Sequence, residues 1–236
     1  MGTLPEPFAA WFVARGWTPR PHQLALLRAA EAKQSALLVA PTGGGKTLAG
    51  FLPSLIDLTR NPRPSGPGAL HTLYVSPLKA LAVDIARNLM APVEEMGLPI
   101  RIETRTGDTP QNRRARQKDD PPHILLTTPE SLELLLSQPE AGDFFAGLGA
   151  VVVDEIHALA GSKRGDQLAL GLSRLATLAP AARRVGLSAT VAWPEPLRAF
   201  LSPSGRAEDV RLVQVKGGAP PELSITLPEG RLPWGG

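Results

Sequence analysis

The stretch that most constrains this chain is Ala40–Thr47, which reads Ala-Pro-Thr-Gly-Gly-Gly-Lys-Thr. An apolar run, Ala36–Ala40, leads into it, and a helix-compatible run, Leu48–Leu58, follows. Strand, glycine-rich turn and helix in that order make a phosphate cradle. Gly43, Gly44 and Gly45 let the backbone take angles that a Cβ would forbid and let N–H groups approach an anion closely. The N-terminus of the following helix adds unpaired N–H groups and a partial positive charge. Lys46 is placed to reach the β and γ phosphates of a nucleotide, and the Thr47 hydroxyl to hold Mg²⁺. The one irregularity is Ala40, which stands where the common Gly-x-x-x-x-Gly-Lys-Thr pattern begins with glycine.

With 236 residues the chain makes one large domain or two small ones and can bury a real core. There is no cysteine, which excludes disulfides and thiolate metal sites. His22, His71, His123 and His157 show no metal-ligand spacing. Met1–Ala10 lacks the basic start and apolar middle of a signal peptide. No apolar run reaches the roughly 18 residues of a membrane span. The expectation is a cytoplasmic protein with no membrane partner.

The formal net charge of +3 is compatible with a polyanionic partner without demanding one. Its distribution says more. Arg101, Arg105, Arg113, Arg114, Arg116 and Lys118 fall in one short stretch, interrupted by Glu103 and Asp108 and followed by Asp119 and Asp120. This is either a solvated face or an electrostatic footprint for a phosphate backbone.

Helical patterns run from Leu4 to Arg15 and from His22 to about Lys33. Gln23 offers both a donor and an acceptor just ahead of the phosphate loop, as reading an adenine edge requires. Thr59–Gly68 is an exposed, Pro- and Gly-rich connection. Strands are expected at His71–Ser76, Ile100–Thr104, His123–Thr127, Ala150–Val153 and Arg184–Leu187, and helices from Pro77, from Pro129, over Asp166–Leu178 and over Pro194–Phe200. Two further strand candidates are Val210–Val215 and Leu223–Leu227. Alternating strands and helices from Ala36 to Leu201 predict an α/β fold, a mostly parallel sheet with helices on both faces. Ligand sites in such sheets lie beyond the carboxyl ends of the strands.

Asp154 and Glu155 end the β-branched run Ala150–Val153. In a phosphate-loop enzyme an Asp there holds Mg²⁺, and an adjacent carboxylate can orient and deprotonate an attacking water. Two acids at a buried strand end are costly without a cation; the alternative is that they cap a following helix. His157 is a plain core or surface histidine, or it passes the state of the nucleotide to neighbouring loops. Ser188 and Thr190 cap the next turn, or bond to the acidic cluster and sense hydrolysis.

The set Ala-Pro-Thr-Gly-Gly-Gly-Lys-Thr, Asp154-Glu155-Ile156-His157 and Ser188-Ala189-Thr190 resembles the first RecA-like domain of a superfamily 2 DEXH-type helicase, a P-loop NTPase. Ala40 is usual there. Trp17–Gln23, Ser76–Ala82, Thr104–Thr109, Leu126–Leu132 and Lys163–Asp166 are similar to the Lhr-like family, and above all to the ligase-associated DEXH-box helicases. The resemblance implies ATP and Mg²⁺ as cofactors. Gln23, Thr42, Gly43, Gly44, Gly45, Lys46 and Thr47 would bind the nucleotide, with Thr47 and Asp154 at the metal. Lys46, Asp154, Glu155, His157, Ser188 and Thr190 would make up the catalytic set. Pro77, Lys79, Thr106, Gly107, Asp108, Thr128, Pro129 and Glu130 would line a nucleic-acid path for single-stranded or tailed DNA. It further implies 3′-to-5′ movement, a role in DNA repair and ligase or nuclease partners.

On this reading residues 1–35 hold N-terminal helices with the adenine motif, 36–205 the RecA-like ATP-binding domain, and 206–236 a linker opening a second domain. That second domain would supply an arginine finger, so the chain alone is expected to hydrolyse ATP weakly and not to unwind DNA. Two other readings are a nucleotide-gated nucleic-acid-binding module and a P-loop ATPase that does not act on nucleic acid.

Overall fold

A computed structural model describes residues 4–215, apart from the side chains at 79–81, 83, 87 and 88. Two helices, α1 (Phe8–Ala14) and α2 (Pro21–Glu31), precede the first strand, β1 (Ala36–Val39). There follow α3 (Lys46–Arg60), β2 (Thr72–Val75), α4 (Lys79–Glu95), β3 (Ile102–Arg105), α5 (Gln111–Asp119), β4 (Ile124–Thr127), α6 (Pro129–Leu136) and α7 (Ala141–Phe145). The rest is β5 (Ala150–Val153), α8 (Ile156–Leu159), α9 (Lys163–Leu178), β6 (Arg183–Ser188), α10 (Glu195–Leu201) and β7 (Arg211–Gln214). The expected α/β order is present. The expectation missed α7 and left α5 and α8 open, the first as a loop or helix and the second as a helix that Asp154 and Glu155 would cap. In α5 the run Gln-Asn-Arg-Arg-Ala-Arg-Gln-Lys-Asp carries almost no apolar residue, so it shows no helical period to read.

The strands form one seven-stranded sheet in the order β3-β4-β2-β5-β6-β1-β7, with every pairing parallel. Successive residues face opposite layers. Leu38, Tyr74, Leu126, Val152 and Leu187 pack with α1, α2, α3 and α4. Leu37, Val39, Leu73, Val75, Leu125, Val151 and Val153 pack with α6, α7, α9 and α10. Both faces are covered, which is why these strands read as unbroken apolar runs rather than alternating ones.

The composition shifts beyond Ser202 toward a linker with a strand candidate at Val210–Val215, and Arg211–Gln214 does pair along the outer edge of β1. The Arg211 N–H reaches the Ser35 carbonyl at 2.9 Å, and the Val215 N–H reaches the Val39 carbonyl at 2.9 Å. This strand gives β1 a partner on its second side. The boundary expected at 205–206 thus falls ahead of a strand of the same sheet. The candidate strand Leu223–Leu227 lies outside the described residues.

Arg184, at the start of β6, is buried and ties two helices to the sheet. It donates to the Leu201 carbonyl, the last of α10, at 3.1 Å and to the Leu172 carbonyl of α9 at 2.6 Å. Burial lowers its pKa. Arg184→Met keeps the apolar stem and removes both donors. It should cost about 1–3 kcal/mol, read as a lower urea midpoint with an unchanged m-value.

Candidate nucleotide site and strand-facing edge

The sheet order places the carboxyl ends of β5, β6 and β1 side by side. Ala40 follows β1, Asp154 follows β5, and Ser188 ends β6. Backbone bonds lock these ends together: the Ala40 N–H donates to the Ser188 carbonyl at 3.1 Å, and the Asp154 N–H to the Val75 carbonyl at 2.9 Å.

From Ala40 the chain enters a tight turn in which the Gly44 N–H bonds to the Pro41 carbonyl at 3.1 Å. Gly43 has φ +76° and Gly45, the N-cap of α3, has φ +73°. These are left-handed angles that glycine takes without a steric penalty. Lys46 is buried, and its Nζ donates to the Ala40 carbonyl at 2.9 Å. The amine thus crosses back over the loop to the strand end. Thr47 is half-buried, and Thr42 and Gly43 are exposed.

Asp154 is 4% exposed. Its Oδ2 accepts a hydrogen bond from the Tyr74 hydroxyl, and its Oδ1 accepts the Glu155 N–H at 2.9 Å. Burial raises its pKa and the Glu155 charge adds to that, against the two donors and Lys46, which favour the ionised form. Glu155 has φ +45° and ψ +40°, a left-handed conformation that costs a non-glycine residue about 1–2 kcal/mol. Such strain gathers where a side chain must be aimed. His157 Nε2 stands 3.4 Å from Glu155 Oε2, and its Nδ1 stands 3.3 Å from Ser188 Oγ. Ser188 Oγ also donates to the Ala189 carbonyl at 2.8 Å. The fold therefore joins Asp154, Glu155, His157 and Ser188 in one chain of contacts. Thr190 is exposed beyond it.

Gln23 is buried, and its Oε1 accepts the Arg20 N–H at 2.9 Å. Its amide Nε2 lies 3.5 Å from where a Cβ on Gly45 would stand. Arg20 Nη1 reaches the Gly43 carbonyl at 3.4 Å, and His22, close to it in sequence, is buried, its pKa lowered chiefly by that burial. Sequence reasoning singled out Gln23 and passed over these two neighbours; their signal was only adjacency. It also passed over a cavity of about 410 Å³ beside the loop, walled by Trp11, Arg15, Trp17, Gly45, Thr47 and Leu48 among others. Arg15 lies 5.3 Å from the ring centres of both tryptophans. Tyr74, the only tyrosine in the chain, was read as one more apolar strand residue.

Next along the sheet, β3, β4 and β2 bring together Thr106–Asp108, Thr128–Glu130 and Pro77–Lys79. The Lys79 side chain lies outside the description. The hydroxyls here are turned inward. Thr128 Oγ1 caps α6 by accepting the Ser131 N–H at 3.4 Å, and Thr106 Oγ1 accepts the Asp108 N–H at 3.4 Å. Pro129 is buried. Glu130 is exposed and pairs with Arg164 at 2.6 Å. Burial works to raise the Glu130 pKa, but the Arg164 guanidinium leads the bonds that bring it below the usual carboxylate value. The basic stretch is partly neutralised within itself: Arg113 and Arg116 pair with Glu103 at 3.2 and 2.6 Å, and Arg101 pairs with Asp120 at 2.5 Å.

The sign of the Asp154 shift makes a prediction. Its folded pKa is raised, so its favourable share of stability is complete below the unfolded pKa and is lost as pH rises through the folded pKa. The Tyr74 hydroxyl limits that loss by bonding the ionised form. Tyr74→Phe should therefore destabilise by about 1–3 kcal/mol at pH 8, with most of the cost gone at acid pH where Asp154 is protonated. Urea unfolding at the two pH values checks it.

Among curated proteins, the chain is 45% identical over 203 residues to "Lhr helicase/probable uracil glycosylase" of Mycolicibacterium smegmatis, covering 81% of this chain and 13% of that protein. It is 39% identical over 245 aligned residues to "Lhr helicase/uracil glycosylase" of Escherichia coli, covering 95% and 16%. Among solved structures, helicase Lhr of Mycobacterium smegmatis bound to ssDNA and AMP-PNP superposes with a TM-score of 0.79 at 41% identity, over 91% of this chain and 28% of that one. The chain thus spans well under a third of these relatives. The family model for the DEAD/DEAH box helicase matches residues 20–198. With the parallel sheet and the joined strand-end motifs, this chain belongs to the DEAD/DEAH box helicase family, as an N-terminal RecA-like domain.

Proposed function

We propose that this chain is the ATP-binding motor domain of an ATP-dependent 3′-to-5′ DNA helicase or translocase that acts in DNA repair in the cytoplasm. The observation that carries the reading is that a phosphate cradle and a strand-facing edge share the carboxyl-terminal pole of one sheet. The Lhr structure with ssDNA and AMP-PNP supports it, since both ligands occur together on a similar fold.

The residues present fit Mg²⁺ and ATP. A buried ammonium rests on a strand-end carbonyl and a buried carboxylate carries a raised pKa. Each has charge that a metal-bound triphosphate would satisfy. Bound there, Mg²⁺ neutralises charge developing on the phosphoryl oxygens. Lys46, now on the Ala40 carbonyl, would bind phosphate oxygens in its place. Thr47 and Asp154 would hold the metal. Glu155, aimed by its left-handed backbone, orients a water and accepts its proton. Ser188, through His157, and Thr190 beyond it transmit the change to neighbouring loops. Gln23 and the cavity lined by Trp11 and Trp17 take the base, by amide bonding and by stacking. Thr42 and the three glycines wrap the phosphates.

Pro77, Lys79, Thr106, Gly107, Asp108, Thr128, Pro129 and Glu130 line the strand path, contacting phosphates through backbone groups and so without reading sequence. We take residues 1–35 as the base-recognising helices, 36–205 with β7 as the RecA-like domain, and the stretch beyond β7 as leading to a second such domain. That domain supplies an arginine finger, and repair ligases or nucleases are the expected partners.

Lys46→Ala should abolish binding of a fluorescent ATP analogue with Mg²⁺. It should leave titration of a labelled single-stranded oligonucleotide within about twofold. Oligonucleotide affinity should fall steeply between about 50 and 200 mM salt. No oligonucleotide binding at low salt would assign the chain to ATPases that do not act on nucleic acid.

A further inference from the structure

After β3 the chain makes a tight turn through Thr106–Thr109. The Thr106 N–H bonds to Thr109 Oγ1 at 2.9 Å, the Asp108 N–H to Thr106 Oγ1 at 3.4 Å, and the Thr109 N–H to the Thr106 carbonyl at 3.1 Å. Among the described residues, nothing accepts the remaining N–H of the turn, that of Gly107. Gly107 is exposed.

The orientation of that N–H is set from α5. Arg114 Nη2 donates to the Thr106 carbonyl at 3.1 Å and to the Gly107 carbonyl at 2.5 Å. Arg105 Nη1 in turn donates to the Arg114 carbonyl at 3.0 Å, fixing α5 against the end of β3. A trans peptide is planar, with its N–H opposed to its C=O. Drawing the Thr106 carbonyl in toward α5 therefore turns the Gly107 N–H out toward solvent. Arg114 differs here from Arg113 and Arg116, whose charge is spent on Glu103. Its Nε is buried without a hydrogen-bond partner. The side chain also borders a cavity of about 430 Å³ between α5 and α6, which Lys118, Ser131 and Gln138 help to wall.

We propose that Arg114 is a positioning residue for nucleic-acid binding: by holding the carbonyls of Thr106 and Gly107 it presents the Gly107 N–H as a preset donor to a strand phosphate. This rests on the reading of Thr106–Asp108 as part of the strand path. A positioning role and a direct phosphate contact differ in a measurable way. A cation on a phosphate releases counterions and adds to the salt dependence of binding, whereas a neutral N–H does not.

The test uses the 236-residue chain and a fluorescein-labelled oligothymidylate, with anisotropy titrations over a range of salt. Arg114→Met should weaken binding about tenfold and leave the slope of log affinity against log salt unchanged. Arg114→Lys keeps the charge but loses the planar fork that spans two carbonyls, so it should weaken binding almost as much. Gly107→Pro deletes the N–H itself, and the double variant Arg114→Met with Gly107→Pro should lose no more than the weaker-binding single variant. Binding of a fluorescent ATP analogue should be unchanged throughout, which reports an intact fold.

A slope reduced by about 0.7–0.9 in Arg114→Met, with affinity retained in Arg114→Lys, would mean a direct phosphate contact and overturn the proposal. Weakening by Gly107→Pro but not by either Arg114 variant would overturn the proposal alone. Equal binding by wild type and Gly107→Pro would overturn the reading of this turn as strand-contacting, and the proposal with it.

Discussion

A parallel sheet buried on both faces leaves its polar chemistry one place to stand. Side chains within the strands face two apolar layers, so charged groups gather where the strands end. Because all the pairings run the same way, those ends lie at one pole. The phosphate loop, Asp154–His157 and Ser188 meet there although the chain separates the first from the last by more than a hundred residues. The two backbone bonds from Ala40 and Asp154 to neighbouring strands hold the meeting point rigid.

That arrangement carries charge into a dry environment. Asp154 is almost fully covered and its ionised form is disfavoured by burial. Tyr74 and the Glu155 N–H offset part of this cost by hydrogen bonding. Tyr74 is itself held by a stacked ring, Phe51 of α3, at 4.8 Å between centres. The helix that begins at the phosphate loop therefore also braces the residue that bonds the carboxylate. The unusual backbone of Glu155 belongs to the same tension between stability and aim.

The strand order divides the pole into two neighbouring halves, β5-β6-β1 and β3-β4-β2. They touch at β2 and β5, and Tyr74 of β2 bonds Asp154 across that seam. The β3-β4-β2 half is built from backbone more than from free side chains. Its threonine hydroxyls are spent on capping and turn formation, and most of its nearby arginines are bound to Glu103 or Asp120. Counting basic residues along the sequence overstated the free positive charge, since Glu103 within the run and Asp120 just after it turn out to be partners of Arg113, Arg116 and Arg101.

Much was legible in the sequence by itself. The Gly-Gly-Gly-Lys-Thr turn, the apolar runs and the Asp-Glu strand end pointed to the α/β class, to the tight glycine turn ahead of α3 and to the strand ends that carry polar groups. These signals are local: a turn needs glycine, and a fully buried strand needs unbroken apolar residues. What only the tertiary structure decided depends on partners distant along the chain. It made Tyr74 a donor to Asp154, set His157 between Glu155 and Ser188, and folded Arg211–Gln214 into the sheet beside β1. It also turned Arg114 from one member of a basic run into the clasp of the Thr106–Thr109 turn. A residue's type names the bonds it can make, but strand order and register determine which groups come within reach of one another.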